Sequence, residues 1–444
     1  MKINIPNDVS LILNEIENNG YEAYIVGGCV RDSLLDKAPN DWDICTNAKP
    51  NEILNVFKDY KTIPTGLNHG TITVVINGEH YEITTFRIDG DYSDGRRPDR
   101  VEYTDDIVKD LSRRDFTINA MAYNEKDGLI DPFYGLNYLE HKEIRCVGMA
   151  NERFKEDGLR MIRAIRFASQ LDFRISTGTS SAIIKNKELI TNISQERIRE
   201  ELNKILLSNN PSKGIKLLGG LELIDYIIPE LSPCVNFNQY NLNHDKDVFE
   251  HTMAVLDNIE PKLELRLAAL FHDIGKPDTF TLDESGIGHF YKHHKESARI
   301  CRDVMTRLKY SNKEIEYVSE LVYYHMIRYE KINSTIAKRF INKVGKDKIE
   351  DLFKLFIADR IGMNIPCVLN DIYKLKFECE RVLSEKQPLG VKDLDINGYD
   401  LMEIGIPQGK AIGIILNSLL ECVLENPELN NKNILLEIAK NTHL

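Results

Sequence analysis

No apolar run in this chain approaches the ~20 residues that a membrane-spanning helix needs. The opening MKINIPNDVS lacks the apolar stretch of a secretory signal, and the expectation is a cytoplasmic protein with no membrane partner. Cysteines stand at 29, 45, 146, 234, 301, 367, 379 and 422 without one CxxC pair. That scatter argues against a disulfide framework or a structural zinc site and points to reduced thiols. Positive charge is also in deficit. Lys and Arg number 57 against 69 Asp and Glu, for a net charge of −12. A nucleic acid, if it is the partner, must meet local basic patches rather than a basic whole. There is no internal repeat and no low-complexity tract. What remains is a folded chain of 444 residues, 42% hydrophobic and 28% charged, long enough for about two to four domains.

The texture changes near residue 150. Before it, short β-branched runs predict strands at Ala23–Val26, Asp41–Cys45, Gly70–Ile76 and His80–Arg87, with a turn at Asn77-Gly78. The polar stretch Asp89–Pro98 (DGDYSDGRRP) predicts a loop. Beyond residue 150, apolar residues such as Leu159, Ile162, Ile165 and Ala168 recur at helical spacing. The predicted fold class is α+β, an α/β head with a short mixed sheet on an elongated all-helical body. The expected divisions are 1–145, 146–235, 236–365 and 366–444, with the Asn-rich Asn236–Asp245 at one boundary.

YIVGGCVRDSLLDKAPNDWDI, from Tyr24 to Ile44, holds the first chemical signal. On a strand, Asp41 and Asp43 project to one side and Trp42 to the core. Two such carboxylates repel each other unless a cation joins them, and Mg²⁺ favours oxygen ligands together with phosphates. The pair alone also fits a hydrated turn. Gly27 and Gly28 follow a strand and open a helix, where backbone N–H groups approach an anion. Arg31 follows in the first turn, placed to clamp a phosphate oxygen. Glu82 offers a third carboxylate from a neighbouring strand, or an exposed strand residue.

This stretch resembles the nucleotidyltransferase superfamily. Ser112–Tyr123 (SRRDFTINAMAY) resembles a segment of class II tRNA nucleotidyltransferases and bacterial poly(A) polymerases. The resemblance implies that Arg113, Arg114, Asp115 and Asn119 serve the incoming nucleotide, and that Asp131–Gly135 closes the head. Glu156–Phe167 (EDGLRMIRAIRF) resembles the family's EDxxR helix. Asp157 and Arg160, three apart, share a helix face and fit either an ion pair or a base-reading edge. A carboxylate accepts from an exocyclic amino group while a guanidinium donates to ring acceptors. The resemblance implies that this pair, opened by Glu156, reads CTP and then ATP. Arg163 and Arg166 extend a basic stripe, toward RNA or solvent. Thr65–Thr71 (TGLNHGT) resembles the HGT step of CCA-adding enzymes, and Asp89–Pro98 the loop associated with adding the terminal A.

A second constellation lies in the helical part. Phe271–Lys276 (FHDIGK) ends an apolar helical run, with Gly275 as a stop. It resembles the HD phosphohydrolase superfamily. By that resemblance His251, His272, Asp273 and Asp359 are core metal ligands, and His294 and His325 match extra histidines of some members. His289 and His293 lie close to His294 and compete for that assignment. Imidazole and carboxylate together suit Mn²⁺, Ni²⁺, Fe or Mg²⁺, and Lys276 is placed to meet phosphate. Leu394–Leu401 and Gly405–Gly413 (GIPQGKAIG) resemble the tail of the tRNA enzymes, with Lys410 as an RNA contact.

The expected function is template-independent addition of CMP, CMP and AMP to the 3′ end of tRNA from CTP and ATP, releasing pyrophosphate. Mg²⁺ is the expected cofactor at the head and a second divalent metal at the HD site. The competing expectations are an A-adding enzyme or poly(A) polymerase, a phosphohydrolase with a vestigial head, and a non-catalytic RNA-binding protein. Monomer and homodimer both remain open.

Overall fold

The computed structural model describes residues 2–67, 70–90, 100–240, 246–363, 368–385 and 387–443. The chain divides into two compact units, Met1–Ser232 and Pro233–Leu444.

The first unit opens with α1 (Asn7–Asn18), β1 (Ala23–Val26), α2 (Gly28–Leu34), β2 (Ile44–Thr46), α3 (Pro50–Val56) and β3 (Lys61–Gly66). Then come β4 (Thr71–Ile76), β5 (Glu79–Thr85), the short hairpin β6 (Arg87–Asp89) and β7 (Val101–Tyr103), and α4 (Ile107–Ser112). The head closes with β8 (Ala122–Asn124), β9 (Gly128–Ile130), α5 (Gly135–Glu140) and β10 (Glu143–Ile144). Seven strands form one mixed sheet in the order β3-β4-β5-β2-β1-β8-β9. Within this sheet, among the described residues, only β2 and β5 pair in parallel, with Ile44 opposite Ile83. Central β1, Ala-Tyr-Ile-Val, is buried along its whole length, as a strand covered on both faces requires. β4 alternates half-buried and buried residues, which places Ile72, Val74 and Ile76 in the core. Asn77 and Gly78 both have positive φ and join β4 to β5 through a tight turn. Asp131 accepts from the backbone N–H groups of Gly135 and Leu136 and so caps α5.

The helical part of this unit comprises α6 (Ala150–Glu156), α7 (Leu159–Leu171), β11 (Arg174–Ile175), α8 (Thr177–Asn186), α9 (Gln195–Leu206), α10 (Pro211–Gly220) and α11 (Ile224–Ile227). Leu159, Ile162, Ile165 and Ala168 are buried on one face of α7, as their spacing predicts.

The second unit contains α12 (Val248–Asn258), α13 (Leu263–Phe271), the hairpin β12 (Phe280–Leu282) and β13 (Gly288–Phe290), α14 (His293–Arg307) and α15 (Asn312–Tyr324). It continues with α16 (Ser334–Val344), α17 (Ile349–Gly362), α18 (Asn370–Ser384), α19 (Gly398–Glu403), α20 (Lys410–Glu425) and α21 (Lys432–His443). Helix α13 is buried from Leu265 to Phe271. The last helices close a separate cluster around Leu401, Leu419, Val423 and Leu435.

Three local expectations change. The strand carrying the carboxylates begins at Ile44, so Asp41 and Asp43 lie in the irregular segment that leads into β2. Trp42 is half-buried rather than a core residue. Gly275 does not end α13, which stops at Phe271. A Cβ at Gly275 would meet the Ser297 backbone nitrogen at 2.6 Å, so this glycine permits close approach of α14.

Candidate functional site

In the first unit a cleft of about 500 Å³ is lined by Gly27, Gly28, Arg31, Asp41, Asp43, Arg113, Arg114, Asp115, Asn119, Asp157, Arg160, Arg163 and Arg166. Leu159, Phe167 and Arg197 complete its wall. Seven arginines there face four aspartates, so the cleft is basic inside an acidic chain. That charge balance suits a polyphosphate.

Gly27 has φ 82°, a conformation that favours glycine. A Cβ at this position would lie 2.9 Å from Arg114 Nη1, so the bare backbone also makes room for that guanidinium. Asp41 and Asp43 are exposed to the cleft. The cleft walls strip part of Asp43's hydration and, with the charge of Asp41, push its carboxyl above the usual range. Arg114 pulls it down and Glu82 pushes it up. Glu82 is exposed on β5, one residue before the Ile83 that pairs with Ile44, and is not part of the cleft lining. Two open carboxylates, oxygen donors alone, fit Mg²⁺ better than a softer metal.

The floor is a hydrogen-bonded chain. Arg31 Nη1 donates to Asn119 Oδ1 at 2.7 Å, and Asn119 Nδ2 donates to Asp115 Oδ1 at 3.2 Å. Arg163 then donates to Asp115 Oδ2 from Nε at 2.8 Å and Nη2 at 2.5 Å. Burial opposes the Asp115 charge, but Arg163, Arg160 and Asn119 outweigh it and hold the carboxyl at about 2. Arg113 is anchored on buried Asp110, 3.0 Å from Nε and 2.8 Å from Nη2. Arg166 lies over the Phe167 ring at 4.1 Å and 3.2 Å from Glu201. Burial and the neighbouring Arg163 pull its guanidinium down to about 10. Neither Arg163 nor Arg166 is on a solvated face; both are built into the cleft wall.

Asp157 and Arg160 do not share a helix face, and their side chains do not pair; only the Arg160 backbone N–H meets the Asp157 carbonyl, at 3.0 Å. Asp157 is extended, φ −150° and ψ 106°, at the joint between α6 and α7. Its Oδ1 accepts from the Leu159 backbone nitrogen at 3.0 Å and so caps α7. Arg197, on α9, grips the same carboxylate at 2.7 and 3.3 Å. Arg160 is held instead by Glu156 at 2.5 Å and by the carbonyls of Arg153 and Arg113. Both side chains still border the cleft. Sequence spacing missed Arg197, Phe167 and Asp110, because each acts from another element or from beneath the surface. Asn68 and His69 of the HGT step and residues 91–99 of the polar loop lie outside the described residues.

The second unit brings His251, His272, Asp273 and Asp359 together. Asp273 Oδ2 is 3.2 Å from His272 Nε2 and 3.6 Å from His251 Nε2. Asp359 Oδ1 is 3.1 Å from His251 Nε2. The other oxygen of Asp273 faces His293 Nε2 at 3.2 Å and His325 Nε2 at 3.6 Å. The histidine that joins the cluster is therefore His293; His294 packs against the Tyr323 ring at 5.4 Å. Both open α14, and successive residues on a helix point about 100° apart, so one can face the cluster. His289 is turned away, 2.8 Å from Asp283. Lys276 is buried, 2.7 Å from Asp273 and 2.8 Å from Gln239, which removes it as an exposed phosphate contact.

The imidazoles test whether a cation fits. Nδ1 of His272, His293 and His325 faces the carbonyls of Ala269, Phe290 and Val322 at 2.8, 2.9 and 2.6 Å. Those contacts require Nδ1–H, which leaves Nε2 of each neutral ring as a lone pair. His293 and His325 nevertheless bring their Nε2 atoms to 3.3 Å. Facing lone pairs call for a cation between them, and the mixed nitrogen and oxygen donors fit a transition metal. Burial disfavours charge on Asp273 and Asp359, but Lys276 at Asp273 and, wherever an imidazole carries a proton instead of a metal, that imidazole's charge hold both carboxyls well below the usual range. Burial pushes His325 down to about 4, consistent with a neutral ligand. Lys410, the first residue of α20, is exposed.

Together, a glycine-and-carboxylate head on a mixed sheet and a helical unit with an HD-type cluster define a nucleotidyltransferase fused to an HD domain. Comparison with known families agrees. Residues 23–145 match the poly A polymerase head domain, 172–235 the family described as "Probable RNA and SrmB- binding site of polymerase A", and 248–364 the HD domain. The chain is 35% identical to the CCA-adding enzyme of Ligilactobacillus salivarius, over 98% of this chain and 97% of that one. It is 36% identical to the CCA-adding enzyme of Lactobacillus johnsonii, over 97% and 96%. The crystal structure of the Bacillus stearothermophilus CCA-adding enzyme in complex with CTP superposes with a TM-score of 0.74 at 27% identity, covering 98% of this chain and 97% of that one. The chain belongs to the CCA-adding enzyme family, the class II tRNA nucleotidyltransferases with an HD domain.

Proposed function

We propose that this protein adds CMP, CMP and AMP to the 3′ end of tRNA from CTP and ATP in the cytoplasm, releasing pyrophosphate. The observation that carries the proposal is one basic cleft in which Asp41 and Asp43 share walls with Arg113, Arg114, Asp157 and Arg160. Gly27, Gly28 and Arg31 receive phosphate oxygens, and Arg113 and Arg114 balance the triphosphate charge. Asp115 and Asn119 hold Arg163 and Arg31 in place beneath it. Asp157 accepts from the exocyclic amino group that cytosine and adenine share, and Arg160 donates to ring acceptors. Asp41 and Asp43 would hold Mg²⁺, which would supply charge stabilisation for the attacking tRNA hydroxyl and the leaving pyrophosphate. The head spans 1–145, the base-reading neck 146–235, the HD-type domain 236–365 and the tRNA-binding tail 366–444, where Lys410 meets RNA phosphate.

The test offers labelled CTP and ATP to tRNA lacking CCA and to tRNA ending in CC. Ordered addition of C, C and A to the first supports full CCA synthesis. Incorporation of ATP alone, on the second only, identifies an A-adding enzyme, and long A tracts a poly(A) polymerase.

A second activity is supported by the buried six-residue cluster of His251, His272, Asp273, His293, His325 and Asp359. These residues would hold a divalent metal, whose chemistry would be Lewis-acid support of phosphoester hydrolysis. Loss of phosphatase or cyclic phosphodiesterase activity in Asp273→Ala, with nucleotide addition retained, separates the two centres.

A further inference from the structure

Asp157 is a short side chain on an extended residue between two helices, and α7 itself holds only one of its carboxylate oxygens, through the Leu159 backbone nitrogen. Its lone pairs are nonetheless largely assigned. Oδ1 accepts from the Leu159 backbone nitrogen at 3.0 Å and from Arg197 Nη1 at 3.3 Å. Oδ2 accepts from Arg197 Nη2 at 2.7 Å. A carboxylate offers about four acceptor positions, so this arrangement leaves about one directed to the cleft. Arg197 comes from the first turn of α9, where a cation works against the helix dipole, so helix stability does not account for its place there. Arg197 itself borders the cleft.

We propose that Arg197 is a positioning residue for base selection, a fork that holds the Asp157 carboxylate so that one acceptor faces the base. This rests on the reading of Asp157 and Arg160 as the base-reading edge. A fixed lone acceptor takes the amino group of cytosine or adenine and faces the carbonyl of uracil or guanine unfavourably. A freely turning carboxylate presents varied geometries and discriminates less. A lysine keeps the charge but is a point donor that cannot brace both oxygens.

The experiment measures kcat/KM for CTP against UTP on tRNA lacking CCA, and for ATP against GTP on tRNA ending in CC. The variants are Arg197→Lys, Arg197→Gln, Asp157→Ala and the Asp157→Ala/Arg197→Gln pair, each checked by thermal melting. Both Arg197 variants are expected to lower the CTP/UTP ratio by about tenfold or more, the scale of one well-placed base contact. The paired variant is expected to match Asp157→Ala, because Arg197 acts through that carboxylate. Equal loss for all four nucleotides in Arg197→Lys, with the ratio unchanged, overturns the positioning role. An unchanged ratio in Asp157→Ala overturns the underlying base-reading assignment instead.

Discussion

At the residue scale, the carboxylate pair and the buried acids act for opposite reasons. Asp41 and Asp43 are open and mutually repulsive, which is useful only with a cation present. Asp41→Ala should lower nucleotide incorporation by about a thousandfold, several kcal/mol of transition-state stabilisation, while leaving the melting temperature near that of the parent. Labelled CTP incorporation with a parallel thermal melt checks both halves. Asp115 is the converse, a buried acid satisfied by Arg163 and Asn119. Its folded value of about 2 lies below the ordinary 3.8, so its contribution to stability is complete above about pH 4. That contribution, about 2 kcal/mol, is lost as pH falls through 2. Urea unfolding of the parent and Asp115→Asn, followed from pH 7 down to pH 2, should show their stability difference shrink with acidification.

At the element scale, function gathers where helices begin and end. Asp157 sits between α6 and α7, and Arg197 in the first turn of α9. His272 follows the last residue of α13, His293 opens α14, and His325 follows α15. Chain ends of packed helices leave backbone carbonyls unpaired, and these orient the imidazoles through Nδ1. Adjacent histidines at the start of α14 therefore have different fates. His293→Ala should reduce the bound transition metal measured by elemental analysis, whereas His294→Ala should retain the parent's content. The reverse result would restore His294 to the cluster. The adjacency of an HD pair and its apolar helix was legible from the sequence. Which of two neighbouring histidines turns inward was not, because it depends on the phase of α14 against Asp273.

At the scale of the whole molecule, a net charge of −12 coexists with a cleft whose arginines outnumber its aspartates. RNA bound by such local patches releases few counterions compared with a basic protein. Affinity for tRNA should still fall with salt, by about tenfold or more between about 50 and 200 mM, measured by filter binding or fluorescence anisotropy. No change across that range would exclude phosphate contacts as a main source of affinity. Among the described residues no helix is long and apolar enough to cross a membrane. The chain's order of motifs, its change from β-rich to helical texture near residue 150, and the chemistry available at Asp41, Asp43, Asp157, Arg160, His272 and Asp273 were all decided by the sequence. Local spacing and residue type are enough for those features, since they depend on near neighbours and elementary ligand preference. Only the tertiary structure decided that Asp157 answers to Arg197 rather than Arg160, that Arg166 is buried against Glu201, and that His293 faces Asp273. Each of those pairings joins elements far apart in sequence, and packing, not periodicity, sets which side chains meet.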